Sequence, residues 1–120
     1  MKIFKNIQTP FFFLALLATC FSFAQKRPVT HDPVVAKQGD VYYLFCTGPG
    51  ITSFTSKDLK TWTQAAPVFA KAPDWALTVA PGFNGHIWAP DITLHDGIYY
   101  LYYSVSAFGK NTSAIGLVTN

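Results

Sequence analysis

The chain has 120 residues, half of them hydrophobic, with nine Lys plus Arg against six Asp plus Glu and a formal charge of +3. Two cysteines cannot build a disulfide framework, and so slight a basic excess does not mark a nucleic-acid binder. The acidic residues are all Asp, at 32, 40, 58, 74, 91 and 96; a helix-rich protein without Glu would be unusual, whereas the many Tyr, Trp, Phe, Val, Ile and Thr suit a pleated sheet.

In chain order, the first 24 residues read as a targeting segment. Lys2 and Lys5 form a short basic region, Phe11 to Phe23 is apolar except for Thr19 and Ser22, and Ser22-Phe23-Ala24 has the small-x-small pattern of a cleavage site. So short an apolar run falls below the roughly 20 residues of a membrane span. The expectation is export, to the periplasm or the medium, with cleavage after Ala24 and no membrane attachment afterwards. A lipoprotein acylated at Cys20 is the weaker reading, because Thr19 stands where a smaller residue is usual. Removing residues 1–24 leaves seven Lys plus Arg against six Asp, a charge of +1, so the basicity belongs mostly to the leader. Cys46 is then left alone inside a strand pattern and reads as a small buried hydrophobe rather than a reactive thiol.

From residue 25 onward the chain states one phrase twice. Asp32-Pro33-Val34-Val35 leads to Val41-Tyr42-Tyr43-Leu44-Phe45, and Ala89-Pro90-Asp91-Ile92 leads to Ile98-Tyr99-Tyr100-Leu101-Tyr102, at an offset of 57. A fixed period carried by short aromatic strands predicts stacked β-sheet blades. Gln38-Gly39-Asp40 and His95-Asp96-Gly97 are turn signals, so each unit opens with a hairpin whose second strand is the Tyr-Tyr run. The first unit continues past Gly48-Pro49-Gly50 into Ile51 to Thr55, turns at Ser56-Lys57-Asp58-Leu59 and reaches Trp62 and Val68-Phe69, which makes four strands. Lys71 to Gly85 reads as a crossover loop. The second unit starts near His86 and reaches Asn120 in or just after its third strand. Two units cannot close a propeller, which takes roughly four to eight blades, so the chain reads as the front of something longer.

At Thr30-His31-Asp32-Pro33, at His86-Ile87-Trp88-Ala89-Pro90-Asp91 and at Ser56-Lys57-Asp58-Leu59-Lys60-Thr61-Trp62, the chain resembles glycoside hydrolase family 43. That family holds endo-1,5-α-L-arabinanases, β-xylosidases and α-L-arabinofuranosidases. Ser104 to Gly116 is most similar to the arabinanase branch. The resemblance implies an all-β, five-bladed β-propeller, of which residues 25–120 are blade 1 and most of blade 2, and an enzyme that hydrolyses α-1,5-linked arabinan with inversion. The alternatives are a β-xylosidase or α-L-arabinofuranosidase of the same family, or a carbohydrate-binding propeller without catalysis.

Inverting hydrolysis uses one carboxylate to deprotonate water and a carboxylic acid, roughly 6.5 to 9.5 Å away, to protonate the leaving oxygen. The resemblance makes Asp32 the general base. The acid is a Glu from a later blade, and a further Asp that tunes it also lies beyond Asn120, so the 120-residue segment alone is expected to be inactive. Asp91 follows its proline where Asp32 precedes its own, and reads as a supporting carboxylate at the cavity mouth. For Asp32 the residues alone allow a plain Asp-Pro turn; the resemblance favours the base. His31, Trp88, Phe108 and Gly109 are the expected sugar contacts: aromatic faces stack on sugar C–H groups, and a glycine admits close backbone approach. Trp62, Trp75 and the paired tyrosines read as core. His86 and His95 read as loop residues that form no metal cluster. No cofactor is expected in this segment, although a calcium-type ion is compatible with the full propeller. The expected partner is an arabinan polysaccharide or oligosaccharide.

Overall fold

The computed structural model describes residues 27–120; the expected leader, residues 1–24 with Cys20, lies outside the described residues. Two four-stranded sheets make up most of the described chain. In the first, β1 (Val34–Gln38), β2 (Val41–Cys46), β4 (Thr52–Ser56) and β5 (Thr63–Ala65) lie in that order, all antiparallel. In the second, the two-residue β3 (Gly48–Pro49) pairs with β6 (His86–His95), followed by β7 (Ile98–Ser106) and β8 (Ser113–Thr119).

The repeat read from the sequence is a repeat of register. Val34↔Phe45, Val35↔Leu44, Ala36↔Tyr43, Lys37↔Tyr42 and Gln38↔Val41 pair in the first hairpin. Adding 57 to each number gives the second: Asp91↔Tyr102, Ile92↔Leu101, Thr93↔Tyr100, Leu94↔Tyr99 and His95↔Ile98. Both hairpins close through the expected two-residue turns, with positive φ at Gly39 in one and at Asp96 and Gly97 in the other. The two sheets face each other across an apolar crevice that includes Ala36, Phe45, Ile92, Leu101 and Val118. The Tyr99 hydroxyl donates to the Lys37 carbonyl at 2.6 Å and joins one hairpin to the other.

Three expectations need correction. The stretch Lys71 to Gly85 is not a plain loop, because it contains a helix, α1 (Asp74–Val79). Pro73 stands at its N-cap in extended conformation, Asp74 places a negative charge in the first turn, and Pro81 drives Ala80 out of the helical region. Ala76 and Ala80, four residues apart, turn the same side inward, and both are fully buried with Ile51, Phe83, Ile87, Leu101, Tyr103 and Val105. The main core therefore sits where the connection packs on the second sheet. The fourth strand is Thr63–Ala65 and stops short of Val68-Phe69, which bond to the Gly50–Ile51 backbone instead. Gly50 has φ +61, and a Cβ there would run into the Phe69 carbonyl, so only glycine fits that crossing. Trp75, expected in the core, is 38% exposed and leans on the buried Tyr103.

Two local readings hold. Cys46 is buried, its thiol donates to the Thr52 carbonyl, and burial pushes its pKa up, which keeps it inert. The Ser56–Thr61 turn is built on two side chains. The Ser56 hydroxyl accepts from the backbone of Asp58 and Leu59, while the Asp58 carboxylate accepts from the backbone of Thr61 and Lys60. Those backbone donors, Thr61 first, hold the Asp58 pKa at about 2.

Candidate active site

The pairing of β6 with β7 slips by one residue between Trp88 and Asp91, because Trp88 pairs with Ser104 while Asp91 pairs with Tyr102. Ala89 and Pro90 fill the extra position. The first blade makes the same slip: the Thr47 amide donates to the His31 carbonyl at 3.0 Å, yet Val34 pairs with Phe45. A bulge of this kind bends the strand and re-aims one side chain out of the ladder.

The residue before each proline is not a glycine, yet both have positive φ, +48 at Asp32 and +43 at Ala89, in the left-handed region. Asp enters that region more easily than most residues, whereas Ala does so at a cost of roughly 1 to 2 kcal/mol. The two corners are equivalent under the 57-residue offset, and so are His31 and Trp88, and Thr47 and Ser104. One carries a carboxylate at its apex and the other a methyl group.

Thr47 joins them. Its hydroxyl donates to Oδ2 of Asp32 at 2.7 Å and accepts from the Ala89 amide at 2.8 Å. Asp32 is exposed and Thr47 half-buried, so one carboxylate oxygen is held from below while the side chain stays open to solvent. An ionised carboxylate with one oxygen tethered and the other available suits a base that takes a proton from water.

The aromatic residues gather beside the second corner. Trp88 and Phe108 have ring centroids 4.9 Å apart, and His86 lies 5.9 Å from Phe108 and 6.3 Å from Trp88. His86 was expected to be a loop residue; it opens β6 and belongs to this cluster. Trp88 is half-buried, and its indole N–H is a buried donor without an acceptor among the described residues. Phe108 is 70% exposed, at the tip of the β7–β8 loop. That loop is fixed by the Lys110 amide on the Ala107 carbonyl at 3.1 Å and by the Ser106 hydroxyl on the Thr112 carbonyl at 2.7 Å. Gly109 follows with φ +69 and open space where a Cβ would be, so conformation rather than crowding favours glycine there.

Asp32, Thr47, Ala89 and, through adjacency, Trp88, Phe108 and His86 therefore share one neighbourhood. His31 lies beside Asp32, exposed, with its backbone fixed by Thr47. Asp91 is exposed opposite Tyr102, past the bulge, at the register position that Val34 occupies in the first blade. Among the described residues no three of His, Cys, Asp and Glu come together. Thr47 is the residue that the sequence reading missed. Its signal was its repeat position, which carries a hydroxyl in both units, Thr47 and Ser104.

Comparison with known proteins adds to this geometry. Residues 26–120 match the family described as glycosyl hydrolases family 43. The chain is 54% identical over 107 residues to the extracellular exo-α-(1→5)-L-arabinofuranosidase ArbA of Cellvibrio japonicus, a match over 89% of this chain and 31% of that protein. It is 42% identical over 94 residues to the extracellular endo-α-(1→5)-L-arabinanase 1 of Bacillus subtilis, over 75% of this chain and 29% of that one. Among solved structures, the Cellvibrio cellulosa α-L-arabinanase complexed with arabinohexaose superposes with TM-score 0.76 at 57% identity, over 79% of this chain and 30% of that chain. The chain thus spans about three tenths of the length of the curated relatives it matches. These likenesses place the two sheets as neighbouring blades of a five-bladed β-propeller.

Proposed function

The chain belongs to glycosyl hydrolases family 43, and we propose that the full protein containing it hydrolyses α-1,5-linked arabinan with inversion, with Asp32 as the general base. The Asp32 corner carries this reading. A bulge and a left-handed backbone lift the carboxylate out of the ladder, one oxygen is tethered to Thr47, and an aromatic cluster stands at the next corner. The relatives support the substrate class, since one is named an exo-α-(1→5)-L-arabinofuranosidase and the other an endo-α-(1→5)-L-arabinanase. The relatives named extracellular likewise support export, with residues 1–24 as the signal.

In the proposed reaction, water loses a proton to Asp32 as its oxygen bonds to the anomeric carbon. The glycosidic bond breaks, and its electron pair leaves with the exocyclic oxygen, which takes a proton from a carboxylic acid across the sugar. That acid is not in this segment, which has no Glu, so residues 25–120 alone are inert. Trp88 and Phe108 offer ring faces to the sugar, with His31 and Gly109 at its edge and Asp91 supporting from the cavity mouth.

The test is product analysis with the full-length protein on linear α-1,5-arabinan and on xylo-oligosaccharides. Release of arabinose or arabino-oligosaccharides is expected. Release of xylose alone would move the protein to the xylosidase reading, and binding without release would make it a carbohydrate-binding propeller.

A further inference from the structure

Thr47 is placed where two blades meet. Its amide is spent on the His31 carbonyl of its own blade, and the next two residues, Gly48 and Pro49, form the strand that pairs with Ile87 and His86 of the second blade. Its backbone is therefore held from both sides, and its hydroxyl lies between the Asp32 carboxylate and the Ala89 amide. A hydroxyl has one hydrogen to give. The Ala89 N–H can only donate, so it occupies a lone pair of Thr47 Oγ1 and leaves the hydroxyl hydrogen for Asp32.

We propose that Thr47 is a positioning residue for the general base: its hydroxyl, locked by the Ala89 amide of the neighbouring blade, holds Oδ2 of Asp32 and leaves Oδ1 as the oxygen that takes the proton from water. This rests on the reading of Asp32 as general base. The left-handed corner aims the side chain, and Thr47 fixes its rotation about the carboxyl axis. A carboxylate presented through a known oxygen needs less reorganisation when the water proton arrives. The same bond makes base geometry depend on the seating of blade 2 against blade 1, since Ala89 belongs to the second corner.

The experiment uses the full-length protein and compares Thr47→Val, Thr47→Ala and Thr47→Ser with wild type on linear α-1,5-arabinan. Each variant is first checked for its melting temperature. For Val and Ala, kcat should fall about 10- to 100-fold, the rate equivalent of a hydrogen bond to a charged group, with KM within about 2-fold. Ser keeps the hydroxyl and should recover most of the rate. In an Asp32→Asn background, adding Thr47→Ala should cost no further rate, because the residue acts through Asp32. A folded Thr47→Ala with wild-type kcat overturns the proposal, as does equal loss in Ala and Ser. If Val and Ala both fail to fold, Thr47 is a blade staple and the proposal falls. A wild-type protein inactive on arabinan sinks the functional reading itself and this inference with it, whereas an active wild type with unaffected variants sinks this inference alone.

Discussion

The corner at His31-Asp32-Pro33 and the corner at Trp88-Ala89-Pro90 have the same backbone and opposite chemistry. Both make a one-residue slip against the neighbouring strand, both put a non-glycine residue at positive φ before proline, and both pair the preceding residue with a hydroxyl-bearing one, Thr47 or Ser104. In blade 1 the apex carries a carboxylate; in blade 2 it carries a methyl group, although Ala pays more than Asp for that conformation. The corner is thus a feature of the blade, retained where it has no carboxylate to present. In the proposed reading, function enters through one side chain at the apex and through what stands beside it, His31 in one blade and the Trp88–Phe108 cluster in the other.

The sharpest way to break this comparison is to exchange the apices. In the full-length protein, Asp32→Ala combined with Ala89→Asp should remain at least about 100-fold below wild type on arabinan, the lower end of what general base catalysis contributes. The second corner belongs to a different blade, so its carboxylate meets the sugar from another side. Recovery of wild-type turnover by the double variant would show that the two corners are interchangeable. A smaller effect is expected from the aromatic cluster. Trp88→Ala should weaken arabino-oligosaccharide binding by roughly 1 to 3 kcal/mol, if stacking on a base is a guide to stacking on a sugar, with a lesser change in kcat. Calorimetric titration reads this directly, and unchanged affinity would make Trp88 a packing residue.

Strain gives the next effect. Ala89→Gly relieves the left-handed conformation but loosens the unfolded chain, so thermal or denaturant unfolding should show a gain of up to about 1 kcal/mol. A loss would mean that the Ala89 methyl packs usefully despite its exposure. Smallest is the turn shared by the family resemblance but remote from both corners. The Asp58 carboxyl is held at about 2, below its unfolded value, by the amides of Thr61 and Lys60. Its contribution is present above the unfolded pKa of about 4 and is lost as pH falls towards 2. Asp58→Asn should therefore lower the melting temperature slightly at pH 7, and the difference should shrink towards pH 2. A difference that does not change with pH would mean that the turn does not depend on the charge.

Much of this comparison was legible in the sequence, because the 57-residue offset preserved residue types that fix register: Gly-Asp or Asp-Gly at the turns, Tyr-Tyr on the returning strand and a proline at each corner. What was hidden was what pairing alone decides. Gly48-Pro49 looks like a turn and becomes a strand only because β6 lies alongside it. The helix Asp74–Val79 is too short for a clear period, though Pro73-Asp74 and the Ala76/Ala80 spacing marked it. Trp75 is apolar enough for the core, yet it is left partly exposed at the edge of it, beside Tyr103, and the smaller Ala76 is fully buried. In the candidate site, Asp32, Trp88 and Phe108 were found through motifs. Thr47 was not, because a hydroxyl that links two blades has no pattern within one of them.

The central claim is that the carboxylate at the first corner is a base and not merely a turn residue, and the turnover of Asp32→Asn tests it most directly. With full-length protein on linear α-1,5-arabinan, kcat should fall by about 10² to 10⁴, because an amide cannot accept the water proton. The same variant should bind arabino-oligosaccharide with wild-type affinity and melt within a few degrees of wild type. Turnover within a few-fold of wild type by a folded Asp32→Asn would contradict the account and leave the two corners alike in function as well as in backbone.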